Sequence, residues 1–507
     1  MSTFLTKVLH AFKEHANRTA LICGKQKFTY EELLTKAKEL SKTLVDSGIK
    51  PGDRVAIFGE RSQADYIGIL ATLLCDASYV PLNSQFPIDR IEYVLRKSGS
   101  KALLIDSLCK DLLQNDHHKI NDLFSSLRLA MYSDTSEIIH HNVAVNIDSY
   151  FPGGAYIMFT SGTTGQPKGV PITLSNLDAY FTSVLALYPI YPEDIVVNTC
   201  DLSFDVSVHE VFCAWLSGAA LCVIPRKYAL LASRYVKQHQ ATVWSSVPSV
   251  ISLGKNSKML PANSMESIRL GFFCGEALSK ETAQFFKDAA PNATAVNIYG
   301  PTEATISFTH YAIDFSKELP PIIPIGIPYP GQLLRAVDSN NLEVNQGDLG
   351  ELLQAGSQLT QGYWQSPEID VEKFVVLNNE RWYRTGDLAK WDDQFGYCYM
   401  GRADRQIKIK GYRIELQDCE AALRTATGVD LVCVIPWPKN DVGEIFGLVG
   451  FICGQESNVN SITAKMKDAL PGYMVPDKLI FLEEFPFNIN GKVDYKKLEN
   501  SAIKIWS

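Results

Sequence analysis

Residues 160–169 read TSGTTGQPKG and follow directly on the apolar stretch YIMF at 156–159. The apolar residues are typical of a buried strand, whereas the small and hydroxylated residues behind them have little to bury. A strand that runs into a loop of Gly, Ser and Thr offers backbone N–H groups and hydroxyls to phosphate oxygens, and Lys168 adds a positive charge. The segment therefore predicts a loop that binds a polyphosphate.

This loop is not a Walker A motif. That pattern ends in G-K-[ST], whereas here Pro167 precedes Lys168 and Gly169 follows it. A P-loop NTPase is therefore disfavoured. The turn-forming residues of TTGQPKG are equally compatible with an exposed hairpin, and the loop alone does not choose between the two interpretations.

Around this loop the chain alternates apolar runs with longer helical patterns, which predicts parallel sheets covered by helices. The runs are DRVAIFG (53–59), KALLID (101–106), YIMFT (156–160), ALCVIP (220–225), ATVWSS (241–246), IRLGFF (268–273) and ATAVNIY (293–299). Pro- and Gly-rich punctuation (320–331), GELLQAG (350–356) and the hairpin-like KWDDQFGYCYMG (390–401) then predict antiparallel strands. The predicted fold class is α/β, with a large N-terminal domain of α/β sheets, a small antiparallel β subdomain and a small α+β C-terminal domain.

Composition limits the classes of function. The hydrophobic content of 46% and the charged content of 21% are those of an ordinary globular chain. A net charge of −8 without a basic block disfavours nucleic acid as a partner. The longest apolar stretch, at 66–75, is too short to span a bilayer, so we expect no membrane insertion. The 11 cysteines include no C-x-x-C pair, which fits a reducing cytoplasm.

The glycine-rich loop resembles the phosphate-binding loop of the adenylate-forming superfamily. That superfamily includes the amino-acid adenylation domains of nonribosomal peptide synthetases, acyl-CoA synthetases and firefly luciferase. Further segments resemble its motifs in the family's order: LSFDVSVHEVF (202–212), NIYGPTEAT (297–305), GELLQAG (350–356), YRTGDLA (383–389), GRADRQIKIKGYRIEL (401–416) and NINGKVD (488–494). One short motif is weak evidence, but this ordered set covers most of the chain.

The resemblance implies that a carboxylate attacks the α-phosphate of ATP, giving an acyl-adenylate and pyrophosphate, with Mg²⁺ as the metal. Thr302, Glu303 and Lys492 are implied to be catalytic, and Glu303 is also the implied Mg²⁺ ligand. Taken alone, Glu303 could equally be a surface carboxylate after a turn. The residues implied to bind the nucleotide are Thr160, Ser161, Gly162, Thr163, Thr164, Lys168, Gly275, Glu276, Asn297, Tyr299, Gly300, Asp387 and Arg402.

Two domains are implied, an adenylation core at 1–402 and a mobile domain at 403–507 that carries Lys492. In the family the smaller domain rotates after adenylation, and Asp404 matches the hinge position. The KIKGYR segment (408–413) is implied to line the path of the incoming thiol.

Asp205 indicates which class of carboxylic acid is the substrate. Amino-acid-activating members of the superfamily carry an Asp here to pair with the α-ammonium, and a buried carboxylate without a cation is costly. Beside Asp205, the substrate's side-chain pocket is implied, from the spacing of the family's motifs, to comprise Val206, His209, Ser246, Phe272, Cys274, Ile298, Ile306 and Ser307. The pocket motifs look similar to those of D-alanine-carrier protein ligases, which favours a small or D-configured amino acid such as D-alanine. His209 could instead bond a polar substrate group or be a core histidine satisfied by the backbone.

The predicted function is therefore an ATP-dependent amino acid-carrier protein ligase. We expect it to transfer the aminoacyl group to the phosphopantetheine thiol of a separate carrier protein, since no GG-x-S-type attachment motif is present. Two alternatives stay open at this point, an acyl- or aryl-CoA ligase of the same superfamily and a catalytically silent nucleotide-binding module.

Overall fold

The computed structural model describes residues 2–109, 127–133, 137–141, 150–161, 167–225, 232–256, 259–440, 443–455, 457–487 and 493–506. The helices in these ranges are α1 (Thr3–Glu14), α2 (Tyr30–Asp46), α3 (Gln63–Leu74), α4 (Ile88–Ser98), α5 (Leu174–Leu187), α6 (Val206–Leu216), α7 (Ala232–His239), α8 (Pro248–Asn256), α9 (Lys280–Ala289), α10 (Pro367–Lys373), α11 (Leu416–Thr427), α12 (Val459–Ala469) and α13 (Tyr495–Trp506). No helix in these ranges combines the length and the apolar character that crossing a membrane requires.

Two large sheets form the first three hundred residues and are parallel at their centres. The strands of this part are β1 (Thr19–Cys23), β2 (Gln26–Thr29), β3 (Arg54–Gly59), β4 (Ser78–Asn83), β5 (Ala102–Ile105), β6 (Leu129–Tyr132), β7 (Ile138–His141), β8 (Gly154–Thr160), β9 (Lys168–Thr173), β10 (Ile195–Asn198), β11 (Ala220–Val223), β12 (Val243–Ser246), β13 (Leu270–Phe273), β14 (Thr294–Tyr299), β15 (Thr309–Ala312) and β16 (Ile327–Pro328). One sheet runs β7-β6-β5-β3-β4-β8-β9, and the other runs β16-β15-β14-β13-β12-β10-β11-β1-β2. All seven apolar runs predicted to be strands contain one.

A shared core joins the two large sheets. Helices α3, α5 and α6 contribute fully buried aromatic residues to it, among them Tyr66, Tyr180 and Trp215. Helix α6 is apolar on nearly its whole circumference and is buried from Val206 to Trp215, as expected for a helix enclosed on all sides. Its first turn is therefore held rigidly, and that turn carries predicted substrate-binding residues.

The antiparallel subdomain and the C-terminal unit follow. The remaining strands are β17 (Leu333–Val337), β18 (Gly350–Ala355), β19 (Phe374–Leu377), β20 (Glu380–Asp392), β21 (Gly396–Arg402), β22 (Gln406–Ile409), β23 (Tyr412–Glu415), β24 (Val432–Pro436), β25 (Leu448–Cys453) and β26 (Lys478–Leu482). Strands β17 to β21 form one antiparallel sheet, with β20 and β21 as the predicted hairpin. This arrangement confirms the predicted fold class.

The C-terminal unit has its own core. Strands β24, β25 and β26 form a separate sheet, and α11 and α12 pack against each other beside it. Strand β21 ends at Arg402 and the small hairpin β22–β23 begins at Gln406. The predicted boundary at 402/403 falls between these two strands and stays a prediction.

Candidate active site

A cavity of about 400 Å³ lies where the carboxyl ends of β10, β12, β13 and β14 face the hairpin β22–β23. Ligands of open α/β sheets bind at this edge, because the loops that leave parallel strands converge there. The predicted site residues that line the cavity are Thr160, Ser161, Asp205, Val206, Cys274, Gly275, Gly300, Thr302, Asp387 and Arg402. Sequence motifs spread over more than two hundred residues thus meet at one cavity.

Glu303 lies beside this cavity in a fully enclosed position, with 1% of its surface exposed. Nη1 of Arg413 donates to both carboxylate oxygens at 3.1 Å, and the hydroxyl of Tyr363 donates to Oε1 at 2.5 Å. Burial alone would raise the pKa of Glu303, but the charge of Arg413 and the Tyr363 hydrogen bond outweigh it and hold the pKa at about 2. The carboxylate is therefore anionic at neutral pH, and a cation balances its charge.

Asp205 directly precedes α6 without a side-chain capping hydrogen bond and is buried, with 9% of its surface exposed. Its Oδ2 has no hydrogen-bond partner among the described residues. Burial raises the pKa of Asp205 to about 6, while Thr302 and Lys408 oppose part of the rise. A side chain that lines the cavity thus carries a buried carboxylate oxygen that has no donor among the described residues.

A third group of side chains converges on Asp387. The hydroxyl of Tyr299 donates to its Oδ2 and Nη1 of Arg402 donates to its Oδ1, both at 2.5 Å. Arg402 is also held by Asp404, through Nε to Oδ1 at 2.7 Å and Nη2 to Oδ2 at 2.8 Å. Two carboxylates therefore fix the guanidinium at the cavity wall, and the predicted hinge residue is one of them.

Other residues predicted to bind the nucleotide lie just outside the cavity wall. Asn297 is buried, and its Nδ2 donates to the backbone oxygens of Ile323 and Pro324. A Cβ on Gly300 would lie 2.7 Å from Cα of Ser307, so this position requires glycine. Lys168 is largely buried, and its ammonium lies 5.7 Å from the ring centre of Tyr363.

The hairpin loop between β8 and β9 is described in part. Strands β8 and β9 pair antiparallel, with Thr160 opposite Lys168, so the glycine-rich segment connects a hairpin. Oγ of Ser161 donates to the backbone oxygen of Arg413 at 2.6 Å. The predicted residues Gly162, Thr163, Thr164 and Lys492 lie outside the described residues.

The C-terminal hairpin enters the site from the other side. The N–H of Gly411 donates to Oε1 of Glu276 at 2.7 Å, and Lys408 lies 5.9 Å from the ring centre of Tyr299. Lys408, Lys410, Gly411, Tyr412 and Arg413 all line the cavity. The segment predicted to line the thiol path thus lines the cavity, and its role in the thiol path stays a prediction.

Six of the predicted pocket residues do not line the cavity: His209, Ser246, Phe272, Ile298, Ile306 and Ser307. All six are at most 1% exposed. Nδ1 of His209 is 2.8 Å from the hydroxyl of Tyr180, and Oγ of Ser307 bonds the hydroxyls of Tyr180 and Tyr329 at 3.2 Å and 3.0 Å. Burial lowers the pKa of His209 to about 3, so the ring is neutral. The sequence did not decide what His209 bonds to. In the structure its partner is the hydroxyl of Tyr180.

The sequence did not single out several residues of the site. Tyr363 and Tyr180 belong to no motif of the sequence. Only the fold shows that they bond to Glu303 and His209. Arg61 lines the cavity after β3, and its Nη1 donates to the backbone oxygens of Thr199 and Cys200. Arg413 stands inside the GYRIEL motif, but nothing in the sequence pairs it with Glu303.

Comparison with known proteins places this site in a family. A family model described as AMP-binding enzyme matches residues 8–364. The chain belongs to this family. It is a ligase that forms acyl-adenylates, and ATP is its nucleotide.

Curated relatives of the ligase are peptide synthetases. The chain is 33% identical over 504 residues to a component of the linear gramicidin synthase of Brevibacillus parabrevis, covering 97% of this chain and 10% of that protein. It is 30% identical over 491 residues to gramicidin S synthase 1 of Brevibacillus brevis, covering 95% of this chain and 43% of that protein. The ligase thus spans a minor part of the length of these relatives.

A solved structure matches the ligase over nearly its full length. It is the Vibrio cholerae adenylation domain AlmE in complex with glycyl-adenosine-5'-phosphate, with a TM-score of 0.87 and 29% identity. The match covers 99% of this chain and 98% of that chain. The likeness therefore includes the C-terminal unit as well as the large sheets.

Proposed function

We propose that the ligase activates a small amino acid as an aminoacyl-adenylate and transfers it to the phosphopantetheine thiol of a separate carrier protein. Oδ2 of Asp205 is the observation that carries the proposal. This atom is buried, lacks a partner among the described residues and belongs to a side chain that lines the cavity. An α-ammonium group would satisfy it, whereas a fatty or aryl acid would leave a buried oxygen unpaired.

The shape of the cavity supports a small side chain. Val206 and Cys274 line it, while His209 and Ser307 lie outside its lining and are tied to tyrosine hydroxyls. Close-packed interiors do not yield space without cost. The glycyl-adenylate bound to AlmE is in keeping with this limit. We therefore propose glycine or an amino acid of similar size, D-alanine included.

Mg²⁺ fits Glu303. Mg²⁺ is commonly held by one or two carboxylates together with substrate phosphates, and Glu303 is an anionic carboxylate whose present partner is a cation. Bound there, Mg²⁺ would neutralise phosphate charge as pyrophosphate leaves. The Thr302 hydroxyl would donate to the α-phosphate, and Asp387 would accept from ribose hydroxyls.

Two lysines would neutralise the negative charge of the phosphates and of the substrate carboxylate. Lys168, next to the phosphate loop, would neutralise the pyrophosphate end. Lys492 would reach between the substrate carboxylate and the α-phosphate, where a flexible ammonium suits two approaching anions. Rotation of 403–507 between the two half-reactions would move Lys492 away and leave the 408–413 segment in the site.

Amino-acid-dependent exchange of labelled pyrophosphate into ATP tests the first half-reaction. The panel comprises glycine, both alanine enantiomers, serine, valine, leucine, glutamate and benzoate. We expect exchange with glycine or alanine and none with benzoate. Exchange with benzoate instead of any amino acid would favour the aryl-CoA ligase alternative, and no exchange at all would favour a silent nucleotide-binding module.

A further inference from the structure

A buried carboxyl group outside the cavity holds one of the cavity walls. Residues 199–205 connect β10 to α6, and all of them except Leu202 line the cavity. At the start of this loop the backbone leaves the sheet, so side chains must supply partners for its buried N–H and C=O groups. Two side chains do so, Glu210 from α6 and Arg61 from the loop that follows β3.

Glu210 binds the N–H groups of the loop. Its side chain is fully buried, and the backbone N–H groups of Thr199 and Cys200 donate to Oε1 and Oε2 at 3.1 Å and 3.3 Å. Nδ2 of Asn198 donates to Oε2 at 2.5 Å, and the hydroxyl of Tyr66 donates to Oδ1 of that asparagine at 2.7 Å. Three consecutive residues thus donate to one carboxyl group.

Arg61 binds the C=O groups of the same two residues. Its Nη1 donates to the backbone oxygens of Thr199 and Cys200 at 2.7 Å and 3.2 Å. Because Arg61 follows β3, these bonds tie the loop to the other large sheet. The start of the loop is therefore held from two sides, through its N–H groups by α6 and through its C=O groups by the segment after β3.

This network bears on Asp205 through the chain. Asp205 makes no side-chain capping hydrogen bond, and its Oδ2 has no partner among the described residues. The placement of that oxygen therefore depends on the backbone on either side of it. Glu210 lies five residues further along, on the buried helix that begins directly after Asp205. Its bonds thus join the first residues of the loop to the helix at the end of the loop.

We infer that Glu210 is a positioning residue for adenylation, which holds the 199–205 loop and thereby places Asp205 for the α-ammonium group of the substrate. This inference rests on the proposed function. Because Glu210 does not line the cavity, it can act on the substrate only through this loop. Such support matters because a binding group must be held to within about 0.5 Å of its productive position.

The test measures the KM for the amino acid and the KM for ATP separately, by pyrophosphate exchange, in wild type and in Glu210→Gln. Glutamine has the shape of glutamate but replaces one acceptor oxygen with an N–H donor, so at least one of the two backbone N–H groups loses its acceptor. We expect the KM for the amino acid to rise about 10-fold. The KM for ATP should not change, whereas partial unfolding would reduce the amount of active enzyme and alter neither KM.

Asp194→Asn is the matched control, at the opposite end of the same strand. Asp194 is also buried, directly precedes β10 and accepts hydrogen bonds from Thr242 and Arg269 outside the cavity lining. Both variants should lower the unfolding temperature, because each disturbs a buried hydrogen-bonded carboxyl group. Only Glu210→Gln should raise the KM for the amino acid.

A double-mutant cycle shows whether Glu210 acts through Asp205. In the Asp205→Asn enzyme, adding Glu210→Gln should change the KM for the amino acid by less than about twofold, because the charge that Glu210 helps to place is already gone. If Glu210→Gln does not fold, Tyr66→Phe takes its place in the cycle. It removes only the hydroxyl that holds Asn198, and it should raise the same KM about threefold.

An unchanged KM for the amino acid would overturn the inference, as would an equal rise in the KM for ATP, the same rise in Asp194→Asn, or losses that add fully to those of Asp205→Asn. In each case wild type would still catalyse exchange, so the proposed adenylation would survive. If wild type instead fails to catalyse exchange with any amino acid, the proposed function itself is wrong.

Discussion

Nη1 of Arg413 lies 3.1 Å from both carboxylate oxygens of Glu303, although the two residues are 110 positions apart in the chain. The pair connects the hairpin β22–β23 to the loop that follows β14. It also engages both oxygens of the carboxylate that would hold the proposed Mg²⁺ ion. The C-terminal unit and the metal therefore compete for one carboxylate, which would link metal release to the placement of that unit.

This competition predicts a lower Mg²⁺ requirement when the arginine is removed. Arg413→Met should reduce the Mg²⁺ concentration for half-maximal pyrophosphate exchange by about 3- to 10-fold, because a larger fraction of the enzyme then presents a free carboxylate. A Mg²⁺ titration at saturating ATP measures it. Arg405→Met is the control, since Arg405 pairs with Glu420 away from the cavity. An unchanged titration in Arg413→Met would contradict the competition.

Replacing Asp205 should impair binding of the amino acid and leave ATP binding intact. Asp205→Asn removes the charge that pairs with the ammonium, and we expect kcat/KM for the amino acid to fall about 100-fold. The KM for ATP should not change. Asp201→Asn is the control, because Asp201 lines the same cavity but accepts hydrogen bonds from Ser203 in its own turn. A parallel loss in both variants would argue against a specific ammonium contact.

The same carboxylate predicts a pH dependence. The pKa of Asp205 is raised to about 6 by burial, so the unliganded site is anionic above that pH and neutral below it. The KM for the amino acid should be constant at higher pH and rise about tenfold per unit below pH 6. Pyrophosphate exchange between pH 5 and 8 measures it. His209 stays neutral across this range, and Asp205→Asn should abolish the dependence.

Truncating His209 should widen substrate choice. The ring lies one helical turn after Val206, which lines the cavity, and packs edge-on against Phe272 with 4.7 Å between ring centres. His209→Ala should therefore raise exchange with valine or leucine relative to glycine, by about 10-fold per added carbon accommodated. Ser217→Ala, just past the carboxyl end of α6 and outside the cavity lining, should leave this ratio as in wild type. Loss of all exchange without a change in the ratio would contradict the role in specificity.

Lys492 should separate the two half-reactions. Lys492→Ala is expected to abolish pyrophosphate exchange, because it removes the cation between the substrate carboxylate and the α-phosphate. Transfer from supplied aminoacyl-adenylate to a thiol should be largely spared. Lys496→Ala should affect neither step. Equal loss of both steps in Lys492→Ala would refute the assignment.

Much of the fold could be predicted from the sequence because its signals are local. Each of the seven apolar runs contains a strand, and the hairpin predicted at 390–401 is formed by β20 and β21. Strand and helix periodicities are set by the residues of one element. The sheet order could not be predicted in this way, because it depends on contacts between elements far apart in the chain.

At the site, the sequence determined which residue types meet at the cavity: Thr302, Asp205, Asp387 and Arg402 were each marked by a motif. Only the tertiary structure decided their partners. Arg413 reaches Glu303, Tyr180 holds His209, and Glu210 accepts from the N–H of Thr199. A motif records the chemistry that a position needs, whereas burial and partnership arise when distant segments pack together and exclude water.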